Sequence, residues 1–206
     1  MHWRGAAGVD RRHRRRVVDL FRPRAAIGCA NLSGVQIKRP LELEKDIAAN
    51  VAEFVVPPQL LELELTESVL MEASRDHNDL LLRLRKAGHR IAVDDFGSGY
   101  SSLDYLRRYP VDRIKIAQTF IADIGVEPGN DAIVRAALSL ARELNIEVVV
   151  EGVETLAQLE LLKGWGGRIA QGYYFAKPLR VDVMTPLLRI GSITPAYADA
   201  AEIAAR

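Results

Sequence analysis

The sequence predicts a parallel α/β fold, either a barrel or an open sheet. Three observations lead there. Six short β-branched or aliphatic runs recur along the 206 residues, ending at Asn31, Glu64, Asp94–Asp95, Lys115, Glu151 and Gln171. Segments with helical spacing separate them, and short connections of that kind favour parallel strands with right-handed crossovers. Each run also ends on a side chain able to ligate a metal or hold a phosphate. Parallel strands bring all such ends to one face, where α/β enzymes carry their sites.

The elements follow in order. Residues 26–33 read as a short buried strand and its exit. Leu41, Ile47, Val51 and Phe54 fall at helical spacing over 41–54. Pro57-Pro58 stops that helix. Residues 60–65 form a strand. Residues 74–87 form a helix with Leu80, Leu81, Leu84 and Ala87 on one face and Gly88 as its stop. Residues 90–94 are the next strand. Gly97 and Gly99 make a loop, because glycine tolerates positive φ and close backbone approach. Ser101 or Ser102 caps a short helix to Arg108, ended by Pro110. A strand over 113–117 follows. Pro128-Gly129-Asn130 turns into a helix over 131–144. Then come a strand at 146–150, a helix at 155–162, a strand at 168–170 and a helix at 181–189.

The bulk numbers bound the class. An apolar share of 49% over this length supports one sizeable core, and a charged share of 27% is ordinary for a soluble protein. Cys29 is the single cysteine, so no intramolecular disulfide forms, and a reducing, cytoplasmic setting is expected. No apolar run reaches the ~18 residues of a membrane span. Residues 1–25 carry eight arginines against Asp10 and Asp19, a local charge of +6 that leaves −5 elsewhere in a net +1. That arm could contact nucleic acid or anionic lipid, but the plainer expectation is a disordered basic leader, or the product of a misplaced start or frameshift. Residues 26–190 are the expected domain, and 191–206 an Ala-rich tail. No nucleic-acid polymer is expected as a specific partner.

Several residues carry chemistry. Strand alternation puts Glu62 and Glu64 on one face and the neighbouring leucines on the other. Adjacent acids such as Asp94-Asp95 suit the bridging of two divalent ions, which polarise a phosphoryl group; helix capping or a solvated turn is the plainer reading. Glu151 and Glu154 flank Gly152-Val153, and Glu154 also suits the start of a helix. Lys115 alternates with Ile114 and Ile116, as an orienting or phosphate-neutralising residue or as a snorkelling one. Gln171 and Tyr173 offer an amide and a ring to a ligand, or Tyr173, Tyr174 and Phe175 belong to the core. His2 and His13 lie in the arm, and His77 and His89 read as surface or structural.

In order, these segments resemble the EAL domain of bacterial cyclic-di-GMP phosphodiesterases over about residues 26–190. The matching stretches are Asn31-Leu-Ser, Glu64-Leu-Thr-Glu67, Asp94-Asp-Phe-Gly-Ser-Gly-Tyr-Ser-Ser-Leu103, Lys115-Ile, Glu151-Gly-Val-Glu154 and Gln171-Gly-Tyr-Tyr-Phe-Ala-Lys-Pro178. The resemblance implies a modified (β/α)₈ barrel. It implies Asn31, Glu64, Asp94, Asp95 and Glu151 as metal ligands, and Mg²⁺ or Mn²⁺ as a two-metal cofactor. It implies Lys115 as the residue holding the attacking water, with Glu151 beside it in catalysis. Glu67 would steady the 94–103 loop, a loop also tied to homodimerisation. Gln171, Glu154 and Tyr173 would support or contact the ligand. The implied reaction is hydrolysis of one phosphodiester of cyclic-di-GMP to the linear dinucleotide.

Two features depart from the family pattern. The Glu-Ala-Leu tripeptide is absent, and the family's Lys-Ile-Asp is Lys115-Ile116-Ala117. Six strands are countable against eight in a full barrel, so an incomplete TIM-like barrel with its first two strands missing or replaced is expected. Impaired turnover follows, with a degenerate module binding cyclic-di-GMP or a partner protein, or a truncated non-functional fragment, as the alternatives.

Overall fold

A computed structural model describes residues 27–72, 75–99 and 104–190. The expected leader, the Ala-rich tail and the cap at Ser101 or Ser102 lie outside those residues. The described chain forms two compact units, one over Ile27–Ile114 and one that begins at Lys115.

The first unit is built on three parallel strands, β1 (Gly28–Asn31), β2 (Leu61–Thr66) and β3 (Arg90–Phe96). Their register sets Asn31 beside Glu64 and Thr66 beside Asp94. Between β1 and β2 lie α1 (Gly34–Ile37) and α2 (Pro40–Glu53), and between β2 and β3 lie α3 (Glu67–Met71) and α4 (Arg75–Lys86). After β3 comes α5 (Asp104–Arg108). The core of this unit joins Leu63, Leu65, Ile91 and Val93 of the strands with Leu70, Leu80, Leu81 and Leu84 of the helices. Gly88 stops α4 with φ +103°, in the region that favours glycine.

Three expectations shift here. The buried stripe of α2 is Leu43 and Ile47, whereas Leu41 and Phe54 are exposed. Pro40 opens the helix and Phe54 caps its end, so both residues sit at the terminal turns. Ala87 lies beyond α4 and is exposed. The one-turn helices α1 and α3 have no counterpart in the periodicity, because four or five residues are too few to show one.

Strand β4 (Arg113–Ile116) is buried throughout and is shared by the units at Ile114 and Lys115. At its foot, Asp112 donates its N–H to the Ile91 carbonyl at 2.9 Å. In the second unit, α6 (Gln118–Ile121) and α7 (Pro128–Glu143) lead to β5 (Glu147–Val150), then α8 (Leu156–Gly164), β6 (Ile169–Ala170) and α9 (Val181–Ile190). β5 and β6 pair in parallel. The strand order follows the chain from β1 to β6. Val134, Leu138 and Ala141 of α7 pack in the core with Val149, Val150, Leu159 and Leu162. Helix α7 begins at Pro128 rather than at 131, because proline suits a first helical turn whose N–H has no partner in any case. Ala117 leaves the strand and takes the N-cap position of α6.

Candidate active site

In the first unit, the strand ends gather acids. Leu32 donates its N–H to the Glu64 carbonyl at 2.7 Å, which locks Asn31 beside Glu64. Glu62 and Glu64 are both buried, so neither glutamate of the alternating run is a solvated face. Ligand atoms of Cys29, Glu62 and Glu64 lie within 4.8 Å of one another. Glu62 is answered by Arg113, whose Nη1 lies 2.8 Å from Oε2 and 3.1 Å from Oε1, at 3% and 0% side-chain exposure. The sequence reading missed Arg113. The signal was present, since Arg113 and Lys115 are two apart on one strand and share a face.

At the end of β3, Asp94 is half-buried and Asp95 exposed, with carboxylate oxygens within 4.8 Å of each other. Asp95 adopts φ +54°, and its N–H donates to Asp94 Oδ1 at 3.0 Å. Left-handed backbone is tolerated by Asp and Asn better than by most residues. An oxygen-rich donor set such as Asn31, Glu64, Asp94 and Asp95 fits a hard divalent cation such as Mg²⁺ or Mn²⁺.

Buried Glu67 opens α3 and accepts the N–H of Gly97 at 3.1 Å. A Cβ on Gly99 would stand 3.7 Å from the Glu67 carboxylate, so the loop after β3 passes directly over this acid. The buried Tyr105 hydroxyl lacks a hydrogen-bond partner among the described residues. Burial, and after it the charge of Glu67, push that hydroxyl well above its ordinary range.

In the second unit, three predicted residues meet. Lys115 Nζ lies 2.9 Å from Glu151 Oε1, with side-chain exposures of 1% and 0%. The Gln171 amide donates to the same oxygen from a buried position. The backbone is held as tightly. Glu151 donates its N–H to Ile116 O at 3.2 Å, Val153 to Gln171 O at 3.0 Å and Tyr174 to Val153 O at 3.0 Å. Gly152 has φ +74°, and a Cβ there would fall 2.2 Å from Gln118 Cγ. Only glycine combines that φ with that contact.

Two other predicted residues stand apart from this cluster by exposure. Glu154 is exposed and gives its backbone N–H to Gln158 Oε1 at 2.8 Å. Tyr173 is 49% exposed, with Lys177 Nζ 5.9 Å from its ring centroid. Its neighbours Tyr174 and Phe175 are buried and pack edge to face. Of the histidines assigned as surface or structural, His89 is buried.

The EAL domain model matches residues 10–178. The chain belongs to the EAL domain family. Cyclic di-GMP phosphodiesterase RocR of Pseudomonas aeruginosa is 42% identical over 137 residues, covering 66% of this chain and 35% of that protein. The EAL domain of Mycobacterium smegmatis DcpA superposes with a TM-score of 0.77 at 36% identity, over 82% of this chain and 75% of that one. The manganese and cyclic-di-GMP complex of Klebsiella pneumoniae BlrP1 gives 0.70 at 30% identity, over 75% and 40%. The barrel-like α/β fold expected from the sequence is therefore that of this EAL domain, with six strands described. The chain spans 16 to 35% of the length of the curated relatives it matches. No helix among the described residues is long and apolar enough to cross a membrane.

Proposed function

We propose that this EAL domain hydrolyses cyclic-di-GMP to the linear dinucleotide. The observation that carries the proposal is the buried Lys115–Glu151–Gln171 cluster at the ends of β4, β5 and β6. A fully buried ammonium is costly unless it is paired, and a paired one at a strand end is ready to act on an anion. In this reading Lys115 orients the attacking water and balances phosphate charge, while Glu151 holds Lys115 in position. Asn31, Glu64, Asp94, Asp95 and Glu151 would hold Mg²⁺ or Mn²⁺. Those ions, when bound, polarise the phosphodiester. Glu67 steadies the loop after β3 through Gly97, and Gln171, Glu154 and Tyr173 contact or support the nucleotide. A homodimer through the 94–103 loop and a cytoplasmic setting belong to the same proposal.

The test is incubation of the chain with cyclic-di-GMP and Mn²⁺, followed by chromatographic detection of the linear product. Lys115→Met is the control. Product from the wild type and none from the variant supports the reading; equal traces from both defeat it.

A second reading, binding without turnover, is favoured by one observation. Ala117 stands where the family carries an acid, and it is buried at the head of α6. Calorimetry with cyclic-di-GMP in Ca²⁺ separates the readings. Heat of binding without product in Mn²⁺ favours the binding module, and no heat under any metal removes it.

A further inference from the structure

Two helices in this chain start with the same device. Ser33 and Gln36 form a capping box at α1, and Thr155 and Gln158 form one at α8. In both, the hydroxyl accepts the N–H of the glutamine, and the glutamine Oε1 accepts the N–H of the cap residue. The similarity ends there. The Gln36 carboxamide bonds within its own box, to the backbone and hydroxyl of Ser33. The Gln158 carboxamide reaches outward as well. Its Oε1 accepts a second N–H, from Glu154 at 2.8 Å. Its Nε2 donates to the carbonyls of Ile121 at 2.9 Å and Ala122 at 3.4 Å, at the end of α6.

Those two places are the exits of β4 and β5. Helix α6 follows Lys115-Ile116-Ala117 directly, and Glu154-Thr155 follows Glu151-Gly152-Val153 directly. One half-buried carboxamide therefore fastens the segment that carries Lys115 to the segment that carries Glu151. A carboxamide is suited to this because it alone offers two acceptor sites and two donors on one planar group. Gln118 adds a second fastening nearby, since its side chain packs against Gly152.

We infer that Gln158 is a positioning residue, which sets the Lys115–Glu151 pairing by tying the loop after β5 to the end of α6. It touches neither member of the pair and acts through the backbone on both sides. The catalytic consequence rests on the phosphodiesterase reading above; the structural coupling does not.

The decisive variant is Q158E. It keeps acceptor oxygens for the Glu154 and Thr155 N–H groups and loses the donors to Ile121 and Ala122, so the cap survives and the tie is cut. Q158A removes both sets of carboxamide bonds and Q36A the equivalent ones at α1, while the Thr155 and Ser33 hydroxyl caps remain. Amide hydrogen exchange of the full chain gives the first readout. Q158E is expected to speed exchange at the Glu151 and Val153 amides by about tenfold while Leu159, in the first turn of α8, stays protected. Q158A is expected to speed both regions, and Q36A neither. Exchange at Glu151 and Val153 that matches wild type in both Gln158 variants overturns the inference. The second readout is turnover in Mn²⁺, where Q158E is expected to lower kcat by about tenfold with KM changed less than about twofold. Unchanged kcat in a variant whose exchange has risen overturns the catalytic half. A wild-type chain without any turnover overturns the phosphodiesterase reading instead, and exchange still decides on Gln158.

Discussion

The ends of β3 and β5 carry the same kind of residue in opposite surroundings. Asp94 and Asp95 end β3 half-buried and exposed, on backbone that turns left-handed. Glu151 ends β5 with no exposure, with Lys115 and Gln171 both on one oxygen and its own N–H on β4. Near solvent, a carboxylate keeps much of its hydration and stays available to an incoming ion. Deep in the protein, only a partner can replace that hydration. The comparison teaches that burial decides how a carboxylate is satisfied, largely by water near the surface and by the chain's own donors in the core.

The sharpest way to break this comparison is Lys115→Met. It strips a buried carboxylate of its counter-charge and is expected to cost about 3–5 kcal/mol, read as a fall in the urea midpoint. The double variant K115M/E151Q should recover most of that loss. Asp95→Asn is the converse. Stability should change by less than about 1 kcal/mol, because Asn tolerates the φ and the site is exposed. Mn²⁺ affinity, followed by calorimetry, should drop by at least about tenfold. If D95N destabilises more than K115M, the contrast between the two ends fails.

The opposite end of β3 gives a pH test. Burial holds the His89 imidazole below its ordinary 6.5, outweighing the backbone bonds at Leu61 and Pro58 that raise it. The unfolded chain therefore binds a proton there at pH values where the folded chain does not. Stability from this source is complete above about 6.5 and declines as pH falls below it, by at most about 1.4 kcal/mol per pH unit. His89→Gln should flatten that slope between pH 6.5 and the carboxylate range in urea titrations. Last in size, Q36A should lower stability by less than about 1 kcal/mol, because it removes the glutamine half of the capping box and leaves the Ser33 Oγ bond to the N–H of residue 36.

Much of this was legible beforehand. Alternation in Leu61-Glu62-Leu63-Glu64-Leu65 placed both glutamates on one face, and both are buried there. Runs of apolar residues located the six strands to within two residues or so. Pairings between distant segments were beyond reach. Nothing local to Arg113 says that its partner lies 51 positions earlier, and nothing local to Gln158 names Ile121, 37 positions away. The start of α7 lies three residues before the expected 131 because Pro128-Gly129 signals both a turn and a first helical turn. Ala117 reads as the last residue of a strand, and its place at a helix N-cap depends on where β4 stops.

Gly152 has a consequence for how this gene can vary. Every missense change in a glycine codon adds a Cβ, and here that atom would overlap Gln118. Every amino-acid replacement at position 152 therefore meets both that overlap and a positive φ that L side chains rarely adopt. Shortening residue 118 would relieve the 2.2 Å approach to Cγ but not the 2.7 Å approach to Cβ, and the backbone twist at 152 remains. The two positions are sterically coupled although they lie 34 residues apart in the chain.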